Sequence, residues 1–318
     1  MIGRRATSAD VARRAGVSRT TVSYVLNGRA DNLPVATQAR VRQAAADLHY
    51  VPSAAARTLR RGRSDLVVLM SPRWTYAYTT GVVVERLTER VDDLGLCLML
   101  TQADAADDRV WASVAPLAVV SLDLIPAEAV ARLHRLGVQH VIHPGAAWSV
   151  AEGGARHGRV QAEYLIGKGH RRFGFACSND PTLQWFSEIR SEGFRRAITG
   201  TGEVLPLPVG TSPELAVDAV QRWQQAGASA VAAYNDETAI AVLGAMQRLG
   251  LTCPDDLAVM GVDNSPASRC VQPGLTTLDV APAAAADLLG NLLARSLGGD
   301  FAEIDPFSCI AVVPRESA

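Results

Sequence analysis

The chain has 318 residues and a formal net charge of −1, and this length accommodates more than one compact domain. No run of residues approaches the roughly 18 to 20 apolar positions of a membrane span. The N-terminus also lacks the apolar segment of a secretory signal. We therefore expect a cytoplasmic protein with no membrane association.

The near-neutral total hides an uneven distribution of charge. Residues 1–64 carry twelve arginines against three aspartates, a balance of +9, whereas the remainder of the chain has a balance of −10. A basic segment can release counterions from a phosphate backbone, and an acidic body avoids nonspecific adhesion to DNA. Nucleic acid is therefore the partner that the N-terminal segment favours.

Two short helices joined by a tight turn are predicted at the start of the chain. Thr7 and Asp10 approximate a capping box, so the first helix should begin near Ser8. Gly16 ends that helix by tolerating a positive φ, and Ser18 can cap the next one. The apolar stripe of the first helix consists of Val11, Ala12 and Ala15.

The second helix is predicted to bury one face and expose hydrogen-bonding side chains on the others. Val22, Val25 and Leu26 recur at helical spacing. A third amphipathic helix after Pro34 supplies the apolar surface that two short helices lack, with Val41, Ala44, Ala45, Leu48 and Tyr50. The pattern indicates a helix-turn-helix for the DNA major groove, although a small helical bundle without DNA affinity has similar spacing.

A short alanine-rich helix is predicted next, capped by Ser53 and ended by Gly62. At this point the chain resembles the LacI/GalR (lactose-repressor) family of bacterial transcription regulators. The resemblance is carried by Val-Ala at 11–12, Ala-Gly-Val-Ser at 15–18, Thr-Val-Ser at 21–23 and Leu-Asn at 26–27. It implies a hinge helix that folds when a dimer sits on its operator.

The resemblance also implies roles for individual residues in DNA binding. The base-reading positions are Arg19, Thr20 and Tyr24, and Tyr24 replaces the arginine that is common in the family. An arginine at position 19 can form a bidentate pair with guanine. In the hinge, Leu59 matches the minor-groove wedge. The implied DNA-backbone contacts are Ser18, Thr21, Ser23, Asn27 and Arg57.

Beyond residue 64, apolar runs alternate with helical stretches, which indicates parallel sheets built from β-α-β units. About 250 residues can form two lobes. The predicted strands are Leu66 to Met70, Cys97 to Leu100, Leu117 to Val120, Gln139 to His143, Arg172 to Cys177, Ala228 to Ala233 and Leu257 to Val262.

The family resemblance continues through this region and implies a two-lobed α/β core like the periplasmic sugar-binding proteins. It rests on Lys168 to Phe175, Arg190 to Phe194, Tyr234 to Glu237, Pro254 to Asp263 and Pro273 to Leu278. The expected domains are a helix-turn-helix headpiece (1–51), a hinge helix and linker (52–64) and the core (65–318). The first lobe should span about 65–147 plus 281–298, and the second about 148–280 plus 299–318.

The resemblance implies that a small effector, a sugar or sugar derivative, binds between the lobes. Arg190, Asn235 and Asp263 match effector-contacting positions, and a guanidinium, an amide and a carboxylate can jointly bind neighbouring hydroxyls. The strand ends of an open α/β sheet are also where ligands bind. The structural alternative is that Asp263 caps a turn and Arg190 pairs with it or with another carboxylate. Further candidate contacts are Trp74, Tyr76 and His143.

The expected function is therefore a ligand-controlled, sequence-specific transcription regulator, a repressor that binds double-stranded operator DNA. No tetramerising heptads follow Pro314, so a homodimer is expected. One alternative is a DNA-binding regulator whose cleft has lost its ligand, because Gly153 stands where the family has an aspartate before the next helix. Another alternative is an α/β enzyme, but no Gly-x-Ser-x-Gly or phosphate-binding glycine loop is present.

We expect neither cofactor nor metal. The five cysteines, at 97, 177, 253, 270 and 309, have no paired metal-ligand spacing and are predicted to be buried, reduced thiols. His140 and His143 lie in one predicted strand, where positions three apart point to opposite faces. They are therefore a poor metal pair.

Overall fold

A computed structural model of the chain describes residues 6–26, 30, 32–51, 64–71, 78–102, 108–122, 124–143, 150–300 and 310–318. The chain divides into two compact units between Asp65 and Leu66. The first unit contains helices α1 (Ser8–Ala15), α2 (Arg19–Leu26) and α3 (Val35–Asp47).

The predicted boundaries of α1 are confirmed by its caps. The Thr7 hydroxyl accepts a hydrogen bond from the Asp10 amide, and the Asp10 carboxylate accepts one from the Thr7 amide at 2.9 Å. Gly16 follows the helix with a φ of +66°, a conformation that costs an L side chain about 1–2 kcal/mol. The chain therefore turns at Gly16 and enters α2 after Ser18.

The three helices bury one apolar cluster, as the sequence predicts. Leu26, Leu48 and Tyr50 are only partly buried at its edge. The buried members are Val11, Ala12, Ala15, Val22, Val25, Ala30, Val41, Ala44 and Ala45. Because α1 and α2 are too short to be stable alone, this shared core is what holds α2 in place.

The second unit begins with a four-stranded parallel sheet in the order β2-β1-β3-β4. Its core lies between the strands and their flanking helices. The elements are β1 (Leu66–Ser71), α4 (Tyr78–Asp93), β2 (Cys97–Gln102), α5 (Asp108–Val114), β3 (Ala118–Ser121), α6 (Ala127–Arg135) and β4 (His140–Ile142).

A second parallel sheet follows, in the order β6-β5-β7-β8. Its elements are α7 (Val150–Gly167), β5 (Arg172–Cys177), α8 (Pro181–Ala197), β6 (Glu203–Pro208), α9 (Pro213–Gln225), β7 (Ala230–Ala233), α10 (Asp236–Arg248) and β8 (Ala258–Met260). Helices α7 and α8 cover one face of the sheet, and α9 and α10 cover the other. The two sheets form the two lobes of an α/β core.

The chain crosses between the lobes again near its end. Strand β9 (Thr277–Asp279), helix α11 (Pro282–Ser296) and strand β10 (Ala311–Val313) complete the fold, and β9 pairs antiparallel with β10. Helix α11 returns to the first lobe, where Asp287 accepts a hydrogen bond from Arg86 of α4 at 2.9 Å. Each lobe is therefore built from separate stretches of the chain.

All seven predicted strands form, and three further strands were not predicted. Strand β6 contains Pro206 and Pro208, which cannot donate ladder hydrogen bonds and therefore suit its position at the sheet edge. Strands β9 and β10 have three residues each, too few for a periodic signal.

The prediction of buried thiols is wrong for two cysteines. Cys97 begins the edge strand β2 and Cys270 follows a short 3₁₀ turn, and both are exposed, whereas Cys177 and Cys253 are partly buried. Cys309 lies outside the described residues. Within the described ranges, no helix has both the length and the apolar character needed to cross a membrane.

Helices α7 and α8 approach each other closely because glycines stand at the contact. A Cβ on Gly158 would overlap the backbone oxygen of Arg190, and a Cβ on Gly193 would overlap the backbone of Ala155. These two positions therefore have no room for a side chain. The contact fixes the backbone of α8 at Arg190.

We expect Gly158→Ala to lower the free energy of unfolding by about 1–3 kcal/mol, the usual cost of overpacking. Gly244→Ala in α10 is the control, because no atom lies within 4 Å of the added methyl group. A helix-interior glycine replaced by alanine gains about 0.5–1 kcal/mol. Urea unfolding followed by circular dichroism measures both variants, and equal effects would contradict the close helix contact.

Candidate nucleic-acid interface and buried charged site

Helix α2 presents polar side chains on the face opposite its buried stripe. Arg19 and Thr20 in its first turn are exposed, and Tyr24 is 48% exposed. Val22 and Val25 on the other face are buried in the headpiece core. The three predicted base-reading residues are therefore accessible together on one short, anchored helix.

The predicted phosphate contacts near this face have local structural roles as well. The Ser18 hydroxyl accepts a hydrogen bond from the Thr21 amide at 3.0 Å and lies 2.9 Å from the Thr21 hydroxyl. Ser18 thus caps α2. Ser23 is partly buried. Five predicted site residues lie outside the described residues: Asn27, Arg57, Leu59, Trp74 and Tyr76.

In the second lobe, two of the predicted effector residues meet at the carboxyl ends of adjacent strands. Arg190 reaches from α8 and donates a hydrogen bond to the backbone oxygen of Tyr234, the residue after β7. Its Nη2 lies 3.9 Å from Oδ1 of Asp263, and both side chains are 5% exposed. The ring of Phe186 covers the guanidinium, with 4.5 Å between Cζ and the ring centroid.

The third predicted effector residue, Asn235, caps α10. Its Oδ1 accepts from the Thr238 amide at 2.9 Å, and its Nδ2 donates to Glu237 at 2.7 Å. Asn235 follows Tyr234 directly, so it stands beside the carbonyl group that binds Arg190. Both Oδ1 and Nδ2 of Asn235 are therefore already hydrogen-bonded within the protein.

Asp236 also belongs to this region, although no specific role for it is predicted from the sequence. The carboxylate is fully buried and accepts hydrogen bonds from Thr277 Oγ1 at 2.5 Å and from the Ser265 amide at 2.7 Å. A side chain at Gly261 would overlap this carboxylate, which explains the glycine there. We call Arg190, Asn235, Asp236 and Asp263 the buried charged site.

Burial dominates the electrostatics of this site. It raises the pKa of Asp263 to about 8 and the pKa of Asp236 to about 6, because a carboxylate loses its hydration in a low-dielectric interior. Burial also lowers the pKa of Arg190, although nearby carboxylates act in the opposite direction. Perturbed groups of this kind cluster at binding sites as well as in structural ion pairs.

The backbone at Asp263 is strained. Its φ is +116°, and the next residue, Asn264, has a φ of +49°. Conformations of this type cost a non-glycine residue about 1–3 kcal/mol and persist where the surroundings hold them. Here the Asp263 amide donates to Leu278 at 2.8 Å, and Arg315 donates to the Asn264 side chain at 2.7 Å.

Helix α7 contributes two further polar residues that the sequence did not single out. Gln161 is fully buried and donates to the backbone oxygens of Ala233 at 3.0 Å and Gly261 at 3.2 Å. His157 precedes it by one helical turn on the same side of the helix. The sequence signal for these two residues is a pair of polar side chains four positions apart, among glycines and alanines. Solvent-exposed helices show the same pattern, so it does not predict burial.

One other expectation changes with the structure. Gly153 does not precede a helix, because α7 begins at Val150 and position 153 is buried in its first turn. His143 follows β4 in the first sheet, whereas Arg190 belongs to the second, so a ligand contact by His143 would come from the first lobe, where it is predicted. Among the described residues, no group of three potential metal ligands comes together.

Comparison with known proteins agrees with this architecture. The model for bacterial regulatory proteins of the lacI family matches residues 7–53, and that for a periplasmic binding protein-like domain matches residues 162–318. The HTH-type transcriptional repressor PurR of Vibrio vulnificus (strain CMCP6) is 28% identical over 295 residues, with 86% of each chain covered. The Ribose operon repressor of Escherichia coli (strain K12) is 28% identical over 309 residues, covering 86% of this chain and 87% of the relative.

Among solved structures, the Lac repressor dimer bound to operator and the anti-inducer ONPF matches with a TM-score of 0.75, 20% identity and 99% coverage of both chains. The matches define a bacterial regulator with a helix-turn-helix domain and a periplasmic-binding-protein-like core of parallel sheets. The chain therefore has a lacI-family helix-turn-helix domain and a periplasmic-binding-protein-like domain. The expected fold class and the resemblance to the LacI/GalR family are thereby confirmed, and both relatives are named as repressors.

Removing the hydroxyl donor to Asp236 should destabilise the protein in a pH-dependent way. The folded-state pKa of about 6 lies above the ordinary value of 3.8, so the contribution of Asp236 to stability is present below about pH 4 and is lost as pH rises through 6. Thr277→Val raises that pKa further. We expect a cost of about 1 kcal/mol at pH 5 and about 2–3 kcal/mol at pH 8, where the charged acceptor loses its donor.

Urea unfolding at the two pH values measures this difference. Thr199→Val is the matched control, because Thr199 is exposed and its hydroxyl donates only to a helix carbonyl. If the cost of Thr277→Val is the same at both pH values, the Thr277 hydroxyl does not preferentially stabilise the ionised carboxylate of Asp236.

Proposed function

We propose that this protein is a sequence-specific DNA-binding repressor that acts as a dimer and whose operator affinity is set by a small molecule bound between the two lobes. The observation that carries the proposal is the exposed trio Arg19, Thr20 and Tyr24 on the anchored helix α2. The balance of +9 over residues 1–64 supports it, because a basic surface binds the phosphate backbone.

Helix α2 would enter the major groove with its first turn toward the bases. Arg19 would pair with a guanine, a contact that discriminates by about 1–3 kcal/mol. Tyr24 offers one hydroxyl and a ring, so it reads its base differently from an arginine. Ser18, Thr21, Ser23 and Asn27 would contact phosphates, while Arg57 would support the Leu59 wedge in the minor groove.

A dimer suits this arrangement because one helix-turn-helix reads a single half-site, and two-fold symmetry matches a near-palindromic operator. The related Lac repressor is a dimer bound to operator in its solved structure. We extend that assembly to this chain as part of the proposal.

The ligand site would be the buried charged site, where Arg190 and Asp263 would bind neighbouring hydroxyls with Asn235 beside them. From the first lobe, the same ligand would be contacted by Trp74, Tyr76 and His143. A sugar is the effector class that this donor and acceptor set favours. The related Ribose operon repressor is named for a sugar operon. Ligand binding would favour one lobe arrangement and change DNA affinity by a coupling energy of about 1–3 kcal/mol.

A second candidate function keeps DNA binding but has no effector. It is favoured by the Arg190–Asp263 pair, because both side chains are almost fully buried and partner each other. Calorimetric titration with a sugar panel separates the two candidates. Intact operator binding with no sugar bound would support the ligand-free regulator.

We expect Arg19→Ala to weaken binding to an operator selected from genomic fragments at least tenfold, because it removes a base contact. Arg40→Ala on α3 is the control, since it removes the same charge from another exposed helix position. Fluorescence anisotropy against operator and random DNA measures both variants. Equal losses on the two DNAs for Arg19→Ala would contradict its role in base recognition.

Arg190→Ala is expected to abolish the effect of the responding sugar on operator binding while leaving DNA affinity of the ligand-free protein within about threefold. The reason is that Arg190 belongs to the second compact unit, whereas the base-reading helix belongs to the first. Arg196→Ala on the same helix is the control, because this arginine is exposed and paired only with Glu192 at 2.6 Å. A surviving response in Arg190→Ala would remove Arg190 from the ligand site.

A further inference from the structure

One face of helix α7 lies directly against Arg190. A Cβ on Gly154 would be 3.7 Å from Cγ of Arg190, and a Cβ on Gly158 would overlap the Arg190 backbone. Gln161, farther along the same face, reaches the end of β7 through Ala233. His157 lies between these contacts at helical spacing, and the charge of Arg190 acts on its ring.

Two polar atoms in this contact lack a hydrogen-bond partner among the described residues. They are Nε of Arg190 and Nδ1 of His157, and both atoms are buried. A buried polar group without a partner costs about 1–3 kcal/mol, and native proteins hold few of them. Nε of Arg190 is a donor, and Nδ1 of a neutral histidine is an acceptor when Nε2 carries the proton, so one hydroxyl group can satisfy both atoms.

The charges around Arg190 disfavour an anion at this position. Asp263, Asp236 and Glu237 all act on the guanidinium, whose Nη atoms already face Tyr234 and Asp263. His157 adds no positive charge, because burial and the nearby Arg190 hold its pKa well below the ordinary value. A phosphate or carboxylate would therefore approach a guanidinium whose charge Asp236 and Glu237 already offset.

We propose that His157 is a specificity-determining residue of the ligand site and that it selects an uncharged, hydroxyl-bearing ligand over a phosphorylated or acidic one. This inference rests on the proposed function of the same site. A hydroxyl group both donates and accepts, so it can bind Nδ1 of His157 and accept from Nε of Arg190. An ionised phosphate or carboxylate oxygen only accepts, and the carboxylates of Asp236 and Glu237 already act on the guanidinium it would approach.

The test uses the full-length protein labelled with ¹⁵N in histidine. The probes are D-ribose, D-glucose and D-galactose, with ribose 5-phosphate, glucose 6-phosphate and galacturonate as their anionic counterparts. We expect at least one uncharged sugar to shift the ring nitrogens of His157 and raise the unfolding temperature. The three anions should leave both signals unchanged.

Variants then separate a ligand contact from a packing role. His157→Phe should weaken binding of the responding sugar at least tenfold, and His157→Gln should restore it to within about threefold, because the amide keeps a polar atom at this position. His170→Gln in the same lobe is the control, since His170 hydrogen-bonds Ser229. If His157→Phe does not fold, the ring-nitrogen shifts of the unaltered protein still decide the matter.

Three results would overturn the inference. They are a response to an anionic probe equal to or greater than that to its parent sugar, no response to any uncharged sugar, or full sugar affinity in His157→Phe. Operator binding is measured on the same samples. If an anionic probe alters operator binding, the regulatory function stands and the ligand class is wrong. If no operator is bound at all, the proposed function fails whatever the sugar result.

Discussion

The burial of Arg190 is the constraint on which the second lobe depends. Taking a guanidinium out of water costs several kcal/mol unless partners surround it. Glycines at 158 and 193 let α7 and α8 approach closely enough to enclose the charge. The carbonyl of Tyr234, the carboxylate of Asp263 and the ring of Phe186 then face it. Helix packing, strand ends and the strained turn at Asp263 are therefore joined through one side chain.

A second set of hydrogen bonds stabilises the turn at Asp263 and Asn264. Asp236 joins Thr277 and Ser265, and Arg315 joins Asn264 to the segment before β9. These bonds keep two consecutive residues at positive φ, which a solvent-exposed loop would relax. A site prepared in this way loses less entropy when a ligand binds, because its groups are already ordered.

The headpiece is organised more simply: a small apolar core fixes α2 and leaves its polar face accessible.

Local signals account for the parts of the fold that were predicted correctly. Thr7, Asp10 and Gly16 act within a few residues of themselves, so the start and end of α1 follow from their chemistry. The apolar runs of the inner strands β1, β3, β5 and β7 are buried by helices on both faces of their sheets, as parallel strands require, whereas β2 at a sheet edge leaves Cys97 and Leu100 exposed. Strand β6 was missed because its prolines are tolerated only at a sheet edge, and edge position is a property of the whole sheet. Cys97 was wrongly predicted to be buried for the same reason, because its strand, β2, lies at a sheet edge.

The sequence by itself determined the family, the helix-turn-helix, the alternating α/β core and the candidates Arg190, Asn235 and Asp263. These follow from motifs and periodicities that short stretches of chain contain. Only the tertiary structure decided that Asp236 is a buried acceptor, that Asn235 caps a helix, and that Gln161, one helical turn after His157, hydrogen-bonds the backbone at the ends of β7 and β8. The burial of a polar side chain depends on which elements face it, and those elements are distant in sequence. The pKa and the hydrogen-bond partners of such a residue are therefore set by packing.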